Sequence, residues 1–377
     1  MTITIVLAGF GDVGENKFTP ALLHYVGLAK DRDFPIMKRN EPLRLIIIDV
    51  DPDKEKAINK IKEEIRKKQL NMDIQFILVK NVLDYEKLIE LINNTNVYLG
   101  YIAAPNKTHV RYIDFFLRLA KLILVEKPLC DNLSEISNIL SKYHEDEFRR
   151  VRLVDHYLFK DVIREFLEHY DKYLEPLGEI KKIDFYLLES GLIRLERSWL
   201  YNSGMIRDLS SHYFSILFKL YDLGFELLNP KNFRLISVEK ARYHDKYIPT
   251  HIQNPKETFA VLKFQINKIL STCTIGKGVG IDKKELIIEG ENGSIIVNTI
   301  KNAIYMKQNT EIEILYQKEV PRYHEYYLLL DDIFHANTDI GLPFHLAIKE
   351  VEFMEKTDAY RITKIYEQGQ LPFSINI

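Results

Sequence analysis

Cysteine is almost absent: the chain holds two, Cys130 and Cys273, in 377 residues. Two thiols leave no disulfide framework and no zinc cluster, and they fit a reducing compartment. An excess of one charge is also missing, since 52 basic and 54 acidic residues give a net charge of −2. That balance gives no electrostatic reason to expect nucleic acid or an anionic membrane as a partner. No uncharged run reaches membrane-spanning length. The apolar start MTITIVLAGFG lacks a basic leader and runs directly into glycines, which favours a buried strand over a signal peptide. Internal repeats, low-complexity segments and Gly/Ser linkers are lacking too. A soluble, cytoplasmic protein is the expectation.

The length exceeds what one hydrophobic core usually organises, so two domains are expected. The first third alternates apolar runs, ITIVLAG (3–9), LRLIIID (43–49), IQFILV (74–79), VYLGYIAA (97–104) and LILVEK (122–127), with helical patterns at 85–94, 109–120 and 134–145. Near-continuous apolar strands between helices predict a parallel sheet covered on both faces. After about residue 175 strand follows strand, with Asn-Gly in ENGS (291–294) marking a tight hairpin. One helix, 203–222, interrupts a mainly antiparallel sheet, and 343–360 is helical again. The predicted architecture is a doubly wound α/β Rossmann domain over 1–155, then an α+β substrate domain over 156–340 with a large open sheet. The C-terminal helix, about 340–377, is expected to pack back on the first domain.

Gly9, Gly11 and Gly14 stand at G-x-G-x-x-G spacing between the first strand and a helix, with Asp12 and Val13 inside the turn. A tight turn, close backbone approach to a diphosphate and a helix N-terminus all ask for this pattern. The second strand ends in Asp49, an acid able to accept from both adenine-ribose hydroxyls and to repel a 2′-phosphate, which favours NAD over NADP. It lies about forty residues after Gly9 where ~20 is usual, so 28–42 looks like an insertion. Lys54 and Lys56 nearby are compatible with a phosphate. The plain alternative is that Asp49 is a turn residue after a strand.

Lys127 sits in V-E-K-P at the end of the fifth strand, where open parallel sheets bind ligands. A lysine beside a nicotinamide could hydrogen-bond a substrate hydroxyl and stabilise its alkoxide. Asp208 and His212 are four apart in an otherwise apolar helix, which puts them on one face of an α-helix. They read as a general base with an orienting or substrate-holding acid, or as a helix-dipole partner and a satisfied core histidine. The run LVDHYLFK (153–160) ends a strand in Asp155 and His156, whose side chains strand alternation would send to opposite faces. His156, Tyr157 and Lys160 make a reasonable phosphate or polyol site, or simply a polar strand end.

The order G-x-G-x-x-G, acid, A-P-N-x-x-H (104–109), E-K-P, then D-x-x-x-H on a helix resembles the Gfo/Idh/MocA oxidoreductases. That resemblance implies a Rossmann domain, an open antiparallel sheet and the catalytic residues Lys127, Asp208 and His212. It adds Ala104, Pro105, Asn106, His109 and Glu126 to the cofactor residues. GDVGENKFTPAL (11–22), VEKPLCDNL (125–133), VDHYLFK (154–160) and GMIRDLSSH (204–212) further resemble motifs of glucose-6-phosphate dehydrogenases. This second resemblance implies that Asp155 orients His212, that His156, Tyr157 and Lys160 bind phosphate, and that Asp208 holds the sugar ring. Phe159 stands where that family has glycine. Aspartate to histidine is one residue shorter, which on an α-helix rotates the carboxylate by roughly 100°. The chain is also much shorter than typical members, so part of their substrate site and dimer sheet is expected to be missing.

The expected function is an NAD(P)-dependent dehydrogenase of a cyclic sugar, first a sugar phosphate such as glucose 6-phosphate. The alternatives are a dehydrogenase of an unphosphorylated sugar or inositol, and a non-catalytic NAD(P)-binding regulator of the same fold. NAD is the preferred cofactor, NADP the second, and no metal is expected. A homodimer or homotetramer through the C-terminal sheet is expected, with no nucleic-acid or membrane partner.

Overall fold

The computed structural model describes residues 2–79, 88, 92, 96–243, 248–321, 323–337 and 339–366. The helix expected over 85–94 lies outside them, apart from helical Leu88 and Ile92. In chain order the strands are β1 (Ile3–Ala8), β2 (Leu43–Asp49), β3 (Met72–Leu78), β4 (Val97–Ile102), β5 (Ala120–Glu126), β6 (Val151–Val154), β7 (Ile180–Glu189), β8 (Phe233–Tyr243), β9 (Phe259–Ile266), β10 (Ile269–Lys277), β11 (Lys283–Gly290), β12 (Ser294–Asn298), β13 (Ala303–Gln308), β14 (Glu311–Gln317), β15 (Leu342–Pro343) and β16 (Lys364–Tyr366). The main helices are α1 (Thr19–Leu28), α2 (Lys54–Lys68), α3 (His109–Phe116), α4 (Leu133–Lys142), α5 (Asp161–Glu168), α6 (Ser211–Asp222), α7 (His324–Phe334) and α8 (Phe344–Asp358). The chain divides into two compact units, Met1–Phe159 with Arg322–Val351, and Lys160–Pro321 with Glu352–Ile377.

In the first unit the strand order is β15-β6-β5-β4-β1-β2-β3. All neighbours pair in parallel except β15, which runs antiparallel to β6. Every residue of β1 is buried, as a central strand covered on both faces requires. Strand order reverses between β1 and β4, and the crevice beyond the carboxyl ends at such a point is where open sheets take ligands. The insertion at 28–42 is folded: Phe34 and Met37 are buried and bridge to each other, and the Phe34 ring lies 5.1 Å from that of Phe334 in α7. Helix α7 and strand β15 have no counterpart in the sequence reading.

The second unit carries a nine-stranded sheet in the order β14-β13-β12-β11-β7-β10-β9-β8-β16. It is mainly antiparallel, with β7–β10 and β8–β16 the parallel pairs. The Asn-Gly hairpin joins β11 to β12, ending on the pair Glu289–Ser294. Helix α6 is buried on all sides from Ser211 to Leu220, the condition of a core helix rather than a surface one. Its rings of Phe214 and Phe218 pack against Phe233, Phe264 and Phe353 at centroid distances of 5.4 to 6.1 Å.

Candidate active site

The glycine turn follows β1 without an intervening residue. Gly9 takes a φ of +90° and donates its N–H to Ile48 at 2.9 Å. A Cβ on Gly9 would lie 2.6 Å from the Cα and the amide nitrogen of Ala104, and one on Gly14 2.9 Å from the Gly9 carbonyl oxygen. A Cβ on Gly11 would meet nothing within 4 Å. The protein's own packing therefore explains the first and third glycines, while the space over the second remains for a ligand. A diphosphate fits that cradle. The chain continues in a π-turn, Gly14–Phe18, before α1, and the Asp12 carboxylate is held by Asn16 at 3.1 Å and Lys17 at 3.3 Å.

The Asp49 carboxylate bonds to the turn that follows its own strand and to the glycine turn beside it. Its Oδ2 accepts the Phe10 N–H inside the glycine turn at 2.5 Å, and its Oδ1 accepts the Asp51 N–H at 2.9 Å. Each oxygen keeps a second lone pair for a ribose hydroxyl. Lys54 is bound to Glu15 at 2.9 Å, and Lys56 lies exposed 3.8 Å from Asp53.

The carboxyl ends of β4 and β5 complete this edge. Ala103 donates to Ala8 at 2.8 Å, which sets Ala104 against the glycine turn, while Pro105 is exposed and Asn106 donates to Asp131 at 3.3 Å. His109 is buried, its Nδ1 2.9 Å from the Pro128 carbonyl and its Nε2 2.8 Å from the Ala104 carbonyl. Burial holds its pKa below the ordinary value. It ties the A-P-N loop to the K-P loop, with both ring nitrogens engaged by carbonyl groups of the protein. Lys127 is half-buried beside the cis bond to Pro128.

Glu126 points into the core, where its Oε1 accepts from the phenols of Tyr101 and, at 3.3 Å, Tyr326. Burial raises its pKa from 4.5 to about 7, against the pull of Tyr101, Lys127 and Lys17. The folded state thus favours the protonated carboxyl. Stability from this group is present below pH 4.5 and is lost as pH rises through about 7. Glu126→Gln keeps the acceptor oxygen and removes the titration. Its unfolding free energy minus that of the parent should be about 3 kcal/mol higher at pH 8 than at pH 4, the variant being relatively more stable at the higher pH. Urea unfolding at the two pH values measures this, and an equal difference at both would remove the buried-acid assignment.

Strand β6 stops at Val154, so the alternation argument for Asp155 and His156 does not apply. His156 opens a 3-10 turn, His156–Phe159, and its Nδ1 lies 4.0 Å from the Asp155 carboxylate. Asp155 is fully buried and accepts the Tyr157 N–H at 2.8 Å. The side chain of Tyr157 is buried, and Lys160 is the half-buried N-cap residue of α5.

In the second unit, Asp208 lies in a π-turn, Ile206–Ser210, and His212 in the first turn of α6, 2% exposed. The 3.6-residue period assumed for 203–222 therefore fails at its start, and with it the 100° offset reckoned on an α-helix. A physical reason is visible: the Ser210 hydroxyl donates to the Ile206 carbonyl at 2.5 Å, a back-bond that competes with the helical ladder. Such wide turns recur at functional sites. Asp208 is held by Lys277 at 3.2 Å, Lys277 lies 3.5 Å from Glu189, and Glu189 accepts from Lys284 at 2.7 Å. Burial pushes the Glu189 carboxyl up, but Lys277 and Lys284 outweigh it and the net shift is down. Sequence reasoning missed this chain. The one available signal was the lysine that follows Gly276 at the end of a strand.

Comparison with known proteins bears on the fold. Residues 47–150 match the Gfo/Idh/MocA model, described as oxidoreductase family, NAD-binding Rossmann fold. No curated protein matches the chain. Among solved structures, glucose-6-phosphate 1-dehydrogenase from Mycobacterium avium is similar at 15% identity and a TM-score of 0.71, over 97% of this chain and 94% of that one. A glucose-6-phosphate dehydrogenase in complex with glucose 6-phosphate shows 16% identity and a TM-score of 0.73, over 99% and 96%. Levoglucosan dehydrogenase with NADH and levoglucosan shows 14% identity and a TM-score of 0.66, over 95% and 96%. Against these two glucose-6-phosphate dehydrogenase chains, the expected shortfall in length does not hold. Both resemblances read from the sequence stand: residues 47–150 match the NAD-binding Rossmann fold of the Gfo/Idh/MocA oxidoreductases, and nearly the whole chain shares the fold of glucose-6-phosphate dehydrogenases.

Proposed function

We propose that the chain is an NAD(P)-dependent dehydrogenase of a cyclic sugar, with a sugar phosphate such as glucose 6-phosphate as the preferred substrate and NAD as the preferred cofactor. The observation that carries the reading is the glycine turn, closed by Asp49 and open above Gly11. Gly9, Gly11, Asp12, Val13 and Gly14 would hold the diphosphate, Asp49 the adenine ribose, and the loop of Ala104–Asn106 with Lys127 the nicotinamide end, while Glu126, expected among the cofactor residues, is turned into the core. The bound dinucleotide supplies the hydride acceptor.

The remaining chemistry belongs to side chains. His212 takes the proton of the sugar hydroxyl as general base, and Lys127 stabilises the developing alkoxide. Asp155 and Asp208 keep the orienting and sugar-holding roles that the resemblance implies. His156, Tyr157 and Lys160 are assigned to the phosphate. Lys277 holds the Asp208 carboxylate in place. The proposal retains assembly through the C-terminal sheet, one face of which carries the partly exposed side chains of Tyr186, Ile287 and Ile296.

A screen of NAD⁺ and NADP⁺ reduction against phosphorylated and free aldoses and inositols tests the reading. Reduction of NAD⁺ by a phosphorylated aldose is expected. Tight NAD binding without turnover on any sugar would instead identify a non-catalytic binder. Lys160→Ala separates the two substrate classes. KM for the phosphorylated sugar should rise about ten- to hundredfold, the worth of a charged hydrogen bond, with the free sugar unaffected. An equal change for both sugars would dismiss the phosphate assignment.

A further inference from the structure

The turn that launches the helix of Asp208 and His212 is held by a residue far away in the chain. Glu257 stands just before β9 and is only 2% exposed. Its Oε1 accepts the Ile206 N–H at 3.1 Å, and its main-chain carbonyl accepts the Met205 N–H at 3.2 Å. The preceding residue, Lys256, donates its N–H to the Tyr201 carbonyl at 2.7 Å. Gly204 lies within this clasp, with a φ of +81° and a Cβ position only 2.3 Å from Glu257 Oε1. The glycine is therefore required twice, by its backbone conformation and by the carboxylate that fills the space of a side chain.

The carboxylate has its own backing. Lys240, 4% exposed at its side chain, places Nζ 3.8 Å from Glu257 Oε2 and 3.8 Å from Asp358 Oδ1. Asp358 in turn accepts from Arg207 at 2.7 Å. Burial raises the Glu257 carboxyl and lowers the Lys240 amine, each opposed by the other's charge. A buried pair of this kind adds little stability over apolar residues of the same volume, so its worth here lies in where it holds the chain. Helix N-termini are commonly capped by a neighbouring Ser, Thr, Asp or Asn. Here the capping acid comes from 51 positions away and grips the first residue of a π-turn.

We propose that Glu257 is a positioning residue: by accepting the Ile206 N–H across Gly204 it fixes the π-turn and so the direction of Asp208 and His212. The proposal rests on the reading of those two residues as catalytic. Three variants test it, Glu257→Gln, Glu257→Ala and Gly204→Ala. Glu257→Ala and Gly204→Ala should each lower kcat by about 100-fold, the scale of a small misplacement of catalytic groups, with KM for the dinucleotide unchanged. Glu257→Gln, whose amide oxygen can still accept the Ile206 N–H, should restore parental kcat. Gly204→Ala removes no polar group but drives the carboxylate off the Ile206 N–H. If neither alanine variant folds, Glu257→Gln still decides, since a loss of about 100-fold in its kcat overturns the proposal. Folded alanine variants with parental kcat, or a Gln variant as impaired as the Ala one, overturn the proposal.

A second readout needs no turnover. The imidazole ¹⁵N signals of His212, identified by their loss in His212→Asn, should shift in Glu257→Ala and stay in place in Glu257→Gln. Unmoved signals in Glu257→Ala overturn the positioning role. If the parent oxidises no sugar, the dehydrogenase reading alone falls, and this measurement still decides on Glu257.

Discussion

Replacing His212 by Asn lowers kcat by two to four decades, roughly the usual contribution of a general base, and leaves the dinucleotide Kd where it was. Asparagine keeps a polar group of similar reach but cannot take up a proton. The ring is 2% exposed on a helix buried on every side, so the amide sits in the same enclosure and little else changes. The residues assigned to the nucleotide, from Gly9 to Lys127, belong to the other unit, which is why cofactor affinity is the internal control. Steady-state kinetics and calorimetric titration with NAD⁺ measure the two quantities. Turnover near the parental value would remove His212 from the chemistry and leave it a satisfied core histidine. Joint loss of turnover and nucleotide affinity would point to a folding defect.

Much of this was legible in the residues because the constraints involved are local. A strand that enters a glycine turn must meet steric limits at Gly9 and Gly14, and the sequence spacing states them. Apolar runs without alternation announce strands covered on both faces, as β1 is. Asp49 is legible as an acid at a strand end, whereas its bond into the glycine turn depends on a partner 39 positions away.

What stayed hidden depends on partners distant in sequence. Lys277 reaches Asp208 from one strand and is linked through Glu189 to Lys284 on the neighbouring ones, and a lone charge in a strand reads as a solvent-facing side chain. Glu257 had the same fault, as an acid in a polar loop. The π-turn at Ile206–Ser210 escaped because a search at a period of 3.6 has no place for one extra residue. Asp155 and His156 were read with strand alternation one residue past the end of the strand, at the boundary where such readings are weakest.

The glycine turn offers the second large effect, and a way to separate fold from ligand. Gly9→Ala should cost on the order of 3 kcal/mol of stability, since its methyl meets the Ala104 backbone and the positive φ disfavours any Cβ. Because the turn must move, NAD affinity falls with it. Gly11→Ala behaves differently. Its φ lies outside the left-handed region and its Cβ meets nothing within 4 Å, so the unfolding free energy should not change. If a diphosphate packs on that backbone, however, the methyl occupies the ligand's space and Kd for NAD should rise tenfold or more, about 1.4 kcal/mol. Urea unfolding and calorimetric titration on both variants give four numbers. A Gly11→Ala protein that binds NAD as tightly as its parent would show that the open space over the second glycine is not where the dinucleotide lies, and the dehydrogenase reading would lose the observation that carries it.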